Sequence, residues 1–369
     1  LKPIRVAVIG CGHLGRIHTR IAAGLPQFSL VGVVDTVESS RAQLAKDFNT
    51  EAFASHDKLY GRIDAAVVAT PTQYHHRVAL DLLNRGVHLL VEKPIAPRET
   101  EAADMVESAK SRRLVLQVGH VERFNPAWAA MLPHVRDPKY VEAVRRGPYS
   151  MRSTDIGVVL DLMIHDIDLT LSIVGSPIRS VDALGAAVFG PNEDIAQARL
   201  VFENGCIANL SASRVSHTAA RTMQLWSHRA MASLDFTART ANIVRPSDEL
   251  LRRDLHLETA TPEERSQLKD RLMTDHLPAE KIECAPVDAI TAELVDFADS
   301  IRESRMPRVS GEAGFEAVAA AERILASIAQ HLWDGRADGR VGPNVEPRRS
   351  IIPGPHWATR PARERREAG

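Results

Sequence analysis

Short unbroken apolar runs alternate with amphipathic segments over the first third of the chain. "IRVAVIG", "SLVGVVD", "IDAAVVAT", "VHLLVEKP" and "LVLQVGH" read as strands buried on both faces. Helices are predicted between them: from about Gly15 to Ala23, in "SSRAQLAKDF", in "YHHRVALDLLNRG" closed by Gly86, and in "PRETEAADMVESAKSRR" with its charged outer face. Strict alternation of strand and helix implies a parallel sheet covered on both sides, a Rossmann-type domain over residues 1–122.

After about Arg123 the period changes. "YVEAVRRG", "SVDALGAAVFG", "IAQARLVFENGCIANLSASRVS" and "ARTMQLWSHRAMASLDFTA" alternate apolar and polar positions, and Asn204-Gly205 marks a hairpin. The fold class is therefore α/β: a parallel N-terminal sheet, then a second α/β domain with an open, mostly antiparallel sheet. The helix "LDLMIHDIDLTLSIVG" is expected on one face of that sheet. The stretch from Arg252 to Cys284 reads as a charged, irregular excursion. "VDAITAELVDFADSIRES" and "EAGFEAVAAAERILASIAQHLW" read as amphipathic helices. Residues 123–333 form the expected substrate and oligomerisation domain. Residues 334–369 are a Pro- and Arg-rich tail, in which Trp357 and Ile351-Ile352 could anchor on another subunit.

Composition adds exclusions. The 369 residues are 44% hydrophobic and 25% charged, and carry a net charge of -1, so no electrostatic case arises for nucleic acid or a membrane surface. Three distant cysteines, Cys11, Cys206 and Cys284, give neither a disulfide framework nor a zinc spacing, and no metal is expected. The expectation is a cytoplasmic protein without signal peptide or membrane span.

"IGCGHLG" places Gly10, Gly12 and Gly15 in GxGxxG spacing, directly after a strand and opening a helix, with Asp35 ending the next strand. The first glycine permits the turn, the second the approach of a pyrophosphate, the third close helix–strand packing. The intervening His13 and Leu14 begin the helix, whose free N–H groups and positive end face the phosphates. Asp35 suits the ribose hydroxyls of NAD and opposes a 2′-phosphate, so NAD is favoured; nearby Arg41 keeps NADP as the minor alternative. Thr70 and Pro71 end a strand on the carboxyl edge, where ligands of such sheets bind. His75 either faces the cofactor or sits in the next helix.

Lys93 also ends a strand at this edge, as a chemical group or as a surface lysine. On a helix, Asp161, His165 and Asp168 share one face. An imidazole flanked by carboxylates would be oriented and made more basic, as proton transfer requires; the alternative is a buried histidine satisfied by structural acids.

The order Gly10-x-Gly12-x-x-Gly15, Asp35, Thr70-Pro71 with His75, Glu92-Lys93-Pro94 and Asp161-x-x-x-His165-x-x-Asp168 resembles the glucose–fructose oxidoreductase/inositol dehydrogenase family, from Ile4 to about Trp333. The resemblance implies an oxidoreductase acting on a sugar hydroxyl, with Lys93 and His165 catalytic, Asp161 assisting, and a cis bond before Pro94 that sets Glu92 and Lys93 beside the cofactor. It also implies homodimers or homotetramers joined through the open sheet face. "VGHVERFNPA" and "RSTDIGVVLDLMIHDIDL" look like the branch that includes UDP-N-acetylglucosamine 3-dehydrogenases; "DIGVVLD" has only Gly157 where many members carry a glycine run. A nucleotide sugar would need cations for its diphosphate, and Arg123, Arg145 and Arg152 border the expected site. Arg123 and Arg152, with Asp168, are the substrate-binding candidates. A neutral pocket would instead favour an inositol or free aldose. A third reading is a non-catalytic NAD-sensing regulator, whose mark would be loss of the lysine or histidine.

Overall fold

The computed structural model describes residues 2–151, 155–189, 192–256 and 258–330. Arg152 and the tail from residue 334, with Trp333, Ile351, Ile352 and Trp357, lie outside them.

The N-terminal sheet contains β1 (Ile4–Ile9), β2 (Phe28–Val34), β3 (Glu51–Phe53), β4 (Ala65–Val68), β5 (His88–Glu92) and β6 (Leu116–Gly119). All are parallel, in the order β3-β2-β1-β4-β5-β6. Helices α1 (His13–Gly24), α2 (Glu38–Asp47), α3 (His75–Leu83) and α4 (Glu99–Ser111) connect them. Val6, Val8, Val67, Leu89, Leu90 and Val91 are fully buried, which explains why these strands show no alternation. The strand order reverses between β1 and β4, opening a crevice at their carboxyl ends.

After the short helix α5 (Pro126–Met131), capped by Asn125, the chain enters the second sheet. Its strands are β7 (Tyr140–Arg146), β8 (Ile178–Ala186), β9 (Ile195–Phe202), β10 (Ile207–Ser213), β11 (Ala220–Trp226), β12 (Met231–Asp235), β13 (Thr240–Val244) and β14 (Ala279–Ile282). They run in the order β14-β13-β12-β11-β7-β10-β9-β8, antiparallel except for β7 beside β10. Helix α6 (Ile164–Val174) packs on the inner face. A π-helical turn, Val159–Met163, leads into it, with the Ile164 N–H reaching the Val159 carbonyl five residues back.

Two expectations change. The excursion is not structureless: it begins at the end of α7 (Asp248–Arg252) and holds α8 (Pro262–Arg271) with a Thr261/Glu264 capping box, and edge strand β14. Composition misread it because a highly charged segment shows no periodicity even when its backbone is paired. The last helices, α9 (Ala289–Glu303) and α10 (Gly311–Gln330), also cross back over the residue-123 division. Leu294, Phe297 and Ala298 of α9 complete the core beneath β1 and β2, with Phe28 and Phe297 rings 6.5 Å apart. Val118 N–H donates to the Val309 carbonyl at 3.0 Å. The two domains are thus tied at both chain crossings. Among the described residues no helix is long and apolar enough to cross a membrane.

Candidate functional site

A cavity of about 1270 Å³ runs from the glycine turn to the inner side of the second sheet. On the Rossmann side it is lined by Gly10, Gly12, His13, Leu14, Asp35, Thr70, Pro71 and Lys93. Gly10 has φ +103, and a Cβ there would meet the Ala69 carbonyl oxygen at 2.5 Å. At Gly15 a Cβ would lie 1.8 Å from the Gly10 oxygen, so that glycine serves the packing of α1 on β1 and does not line the cavity. A Cβ on Gly12 would project into open space: this is the cradle a pyrophosphate fits, at the start of α1. Asp35 is held facing it by the Cys11 and Val37 amides, at 2.7 and 2.8 Å. Arg41 turns its guanidinium to the carbonyls of Asp35 and Thr36 and does not line the cavity.

Lys93, Asp161 and His165 line the same cavity. The Lys93–Pro94 peptide is cis. Lys93 Nζ donates to the Asp161 carboxylate at 3.1 Å and to its carbonyl at 2.5 Å. His165 Nδ1 is buried without a partner among the described residues, so the ring nitrogen open to the cavity is Nε2. Burial holds the His165 imidazole well below the usual histidine range, and the charges of Lys93, Arg145, His120 and Arg221 push the same way. It is neutral at neutral pH and can accept a proton. The His120 ring meets it edge-on at 6.2 Å.

This corrects the picture of a histidine made basic by flanking acids. The acids of this helix have other partners. Asp161 holds Lys93. Asp168 accepts from Arg123 at 2.7 and 2.9 Å, deep inside and away from the cavity. Arg123 and Asp168 are therefore spent on each other and are not placed to meet a substrate. Asp166 accepts from Arg145 at 2.9 and 3.0 Å, and Arg145 also donates to Glu122 at 2.8 Å. Burial works against the Arg145 charge, but Asp166 and Glu122 more than offset it and hold the guanidinium above its ordinary range. Shared helical phase shows which side chains neighbour each other; it does not show which cation stands opposite.

His75 and Glu92 also lie behind the cavity wall. Buried His75 spans the carbonyls of Pro94 and Thr70 at 2.9 and 2.8 Å, bracing two strand ends. Glu92 lies 2.6 Å from His18 Nε2 and accepts from the Lys93 amide at 3.2 Å. His18, Glu92 and Glu293 bring possible metal-ligand atoms within 4.8 Å of one another, but His18 and Glu92 are already hydrogen-bonded. Burial raises the Glu293 carboxyl well above its usual range, with help from the Glu92 and Asp296 charges. Both residues shape the backbone that carries Lys93.

The cavity also contains residues the sequence did not single out: Ile17, Thr36, Arg146, Tyr149, Arg214 and Arg221. One arginine in an alternating strand looks like any solvent-facing position, so only the pairing of β11 with β7 could reveal Arg221.

The family model for the NAD-binding Rossmann domain of the Gfo/Idh/MocA oxidoreductases matches residues 4–120, and that for their C-terminal domain matches 133–233. UDP-N-acetylglucosamine 3-dehydrogenase of Acidithiobacillus ferrooxidans is 35% identical over 334 residues, 89% of this chain and 98% of that one. Its solved structure superposes with a TM-score of 0.78 at 34% identity, covering 89% of this chain and 98% of that one. The scyllo-inositol 2-dehydrogenase (NAD(+)) of Bacillus subtilis is 28% identical over 58% of this chain and 68% of its own. Levoglucosan dehydrogenase, solved with NADH and L-sorbose, shares the fold at a TM-score of 0.75 and 18% identity, covering 89% and 98% of the two chains. With its NAD-binding Rossmann domain, the chain belongs to the Gfo/Idh/MocA oxidoreductase family.

Proposed function

We propose that the protein oxidises a ring hydroxyl of a nucleotide sugar, the 3-hydroxyl of a UDP-N-acetylhexosamine, with NAD. The observation that carries this reading is the presence of Lys93 and His165 on one cavity that starts at the Gly10–Gly15 turn. Neutral His165 takes the hydroxyl proton at Nε2. Lys93, steadied by Asp161, donates to the same oxygen and offsets the negative charge that develops there. NAD, when bound, would supply the acceptor for the hydride that leaves the carbinol carbon. Gly12 and the first turn of α1 would hold its pyrophosphate, and Asp35 its adenine ribose. The Asp35 carboxylate, with Arg41 turned away, favours NAD over NADP.

The substrate class is supported by the A. ferrooxidans relative, which aligns over 98% of its length. Self-association through the outer sheet face, where a groove of about 420 Å³ lies among Glu142, Gln197, Arg199 and Asn209, accompanies this reading.

The test is a screen of UDP-sugars, inositols and free aldoses for NADH formation by purified protein. UDP-N-acetylglucosamine should give the highest kcat/KM. Preference for an inositol or aldose would move the protein to another activity of its family, and no turnover with any of them would end the proposal.

A further inference from the structure

The second-domain end of the cavity is lined by four arginines, Arg145, Arg146, Arg214 and Arg221. Two are neutralised within the fold. Arg145 is buried against Asp166 and Glu122, and Arg214 is paired with Asp194 at 2.6 Å. The only carboxylates among the described lining residues are Asp35, at the far end of the cavity, and Asp161, which Lys93 occupies. Arg77 stands apart on the Rossmann wall, 5.9 Å over the Tyr74 ring.

Arg221 is different. It lies on β11 directly opposite Arg145 of β7, so the two side chains share a face of the sheet. Arg145 has two carboxylates that offset its charge; the exposed Arg221 guanidinium has no ion-pair or hydrogen-bond partner among the described residues. Arg146, at the end of β7, adds a second exposed guanidinium on the same cavity without a carboxylate. A guanidinium that lines a cavity whose nearby carboxylates are all taken is placed to receive an anion. Its planar fork suits a phosphate held by two parallel hydrogen bonds. Arg221 and His165 line the same cavity, so an anion held at Arg221 shares that cavity with the reacting groups.

We propose that Arg221 is the specificity-determining residue that receives the substrate's diphosphate, and thereby selects a nucleotide sugar over a free polyol. This rests on the nucleotide-sugar reading above and names the residue that enforces it. Arg123 and Asp168, bound to each other, take no part.

Two measurements separate the inference from the reading it rests on. The first is calorimetric titration of uridine diphosphate into NADH-saturated wild type, Arg221→Met and Arg221→Lys. The Met variant should weaken binding by roughly ten- to a hundred-fold, as expected for a lost charged hydrogen-bond pair, and the Lys variant should recover part of it. The second is steady-state kinetics with UDP-N-acetylglucosamine. In the Met variant KM should rise by a similar factor, with a much smaller fall in kcat and no comparable rise in the KM for NAD. Equal uridine diphosphate binding by wild type and Met variant, or no binding by either, overturns the role of Arg221, whatever the turnover. Arg221-dependent binding without oxidation of any UDP-sugar would retain the anion site and overturn the proposed reaction. Exposed Arg221 is not part of the core, and unchanged melting of both variants excludes unfolding as the cause.

Discussion

At the Rossmann wall, the surface that meets the cofactor is mostly backbone: a turn that only glycine can make, the first N–H groups of α1, and Asp35 fixed by two amides. Across the cavity, the second wall is built from charged side chains, and each group's role depends on its partner. Asp161 and Asp168 lie two turns apart on the same helical segment, yet one holds the lysine at the cavity and the other locks an arginine inside the protein. The difference teaches that residue type and spacing specify a backbone site well, whereas a side-chain site is specified only once the opposing elements are known.

The comparison can be broken most forcefully at His165. His165→Asn should lower kcat by about 10²–10⁴-fold, the usual contribution of a positioned base, with NAD affinity nearly unchanged by fluorescence titration. Unchanged turnover would remove the imidazole from the mechanism. Its pH behaviour sharpens the point. Because burial and nearby cations depress this group, it stays neutral through pH 7 and protonates only as pH falls through its lowered value. The acid limb of kcat/KM is therefore expected below the ordinary histidine value of about 6.5; a limb at or above it would contradict the assignment.

Asp168→Asn should act on stability instead. It leaves the Arg123 charge largely buried without its carboxylate, a loss on the order of 3–5 kcal/mol, measured by urea unfolding. The folded fraction should keep its KM for the sugar. A large KM change without loss of stability would return Asp168 to the substrate site.

A smaller effect divides the two glycines of the backbone wall. Gly15→Ala drives a Cβ into the Gly10 carbonyl and should cost about 1–3 kcal/mol of stability. Gly12→Ala has room and an extended backbone that alanine accepts. It should fold normally and raise the KM for NAD about ten-fold, equivalent to about 1.4 kcal/mol of binding. The reverse pattern would show that Gly12 does not form the cradle.

The same contrast explains how far the sequence could be read. Unbroken runs such as "VAVI" and "AAVV", each followed by a helix, define the parallel sheet because both its faces are covered. The glycine turn and Asp35 follow, since their spacing has a backbone cause. Lys93 and His165 were legible as groups of the right type in buried surroundings. The destinations of Asp168, Arg123, His75 and Glu92 were not, because each depends on a partner 19 to 74 residues away: Arg123 for Asp168, Pro94 for His75, His18 for Glu92. Strand β14 escaped for a related reason, since an edge strand carrying Glu280 and Lys281 has little apolar pattern to show.

The π-helical turn at Val159–Met163 amounts to one surplus residue threaded into a helix. Each residue turns an α-helix by about 100°, so excising Leu162 or Met163, which stand between Asp161 and α6, would swing Asp161 away from the lysine it steadies while leaving the paired acids Asp166 and Asp168 in place. Length itself is thus under constraint here, beside the identity of Asp161: the register between that carboxylate and α6 is as much a part of the site as the side chain.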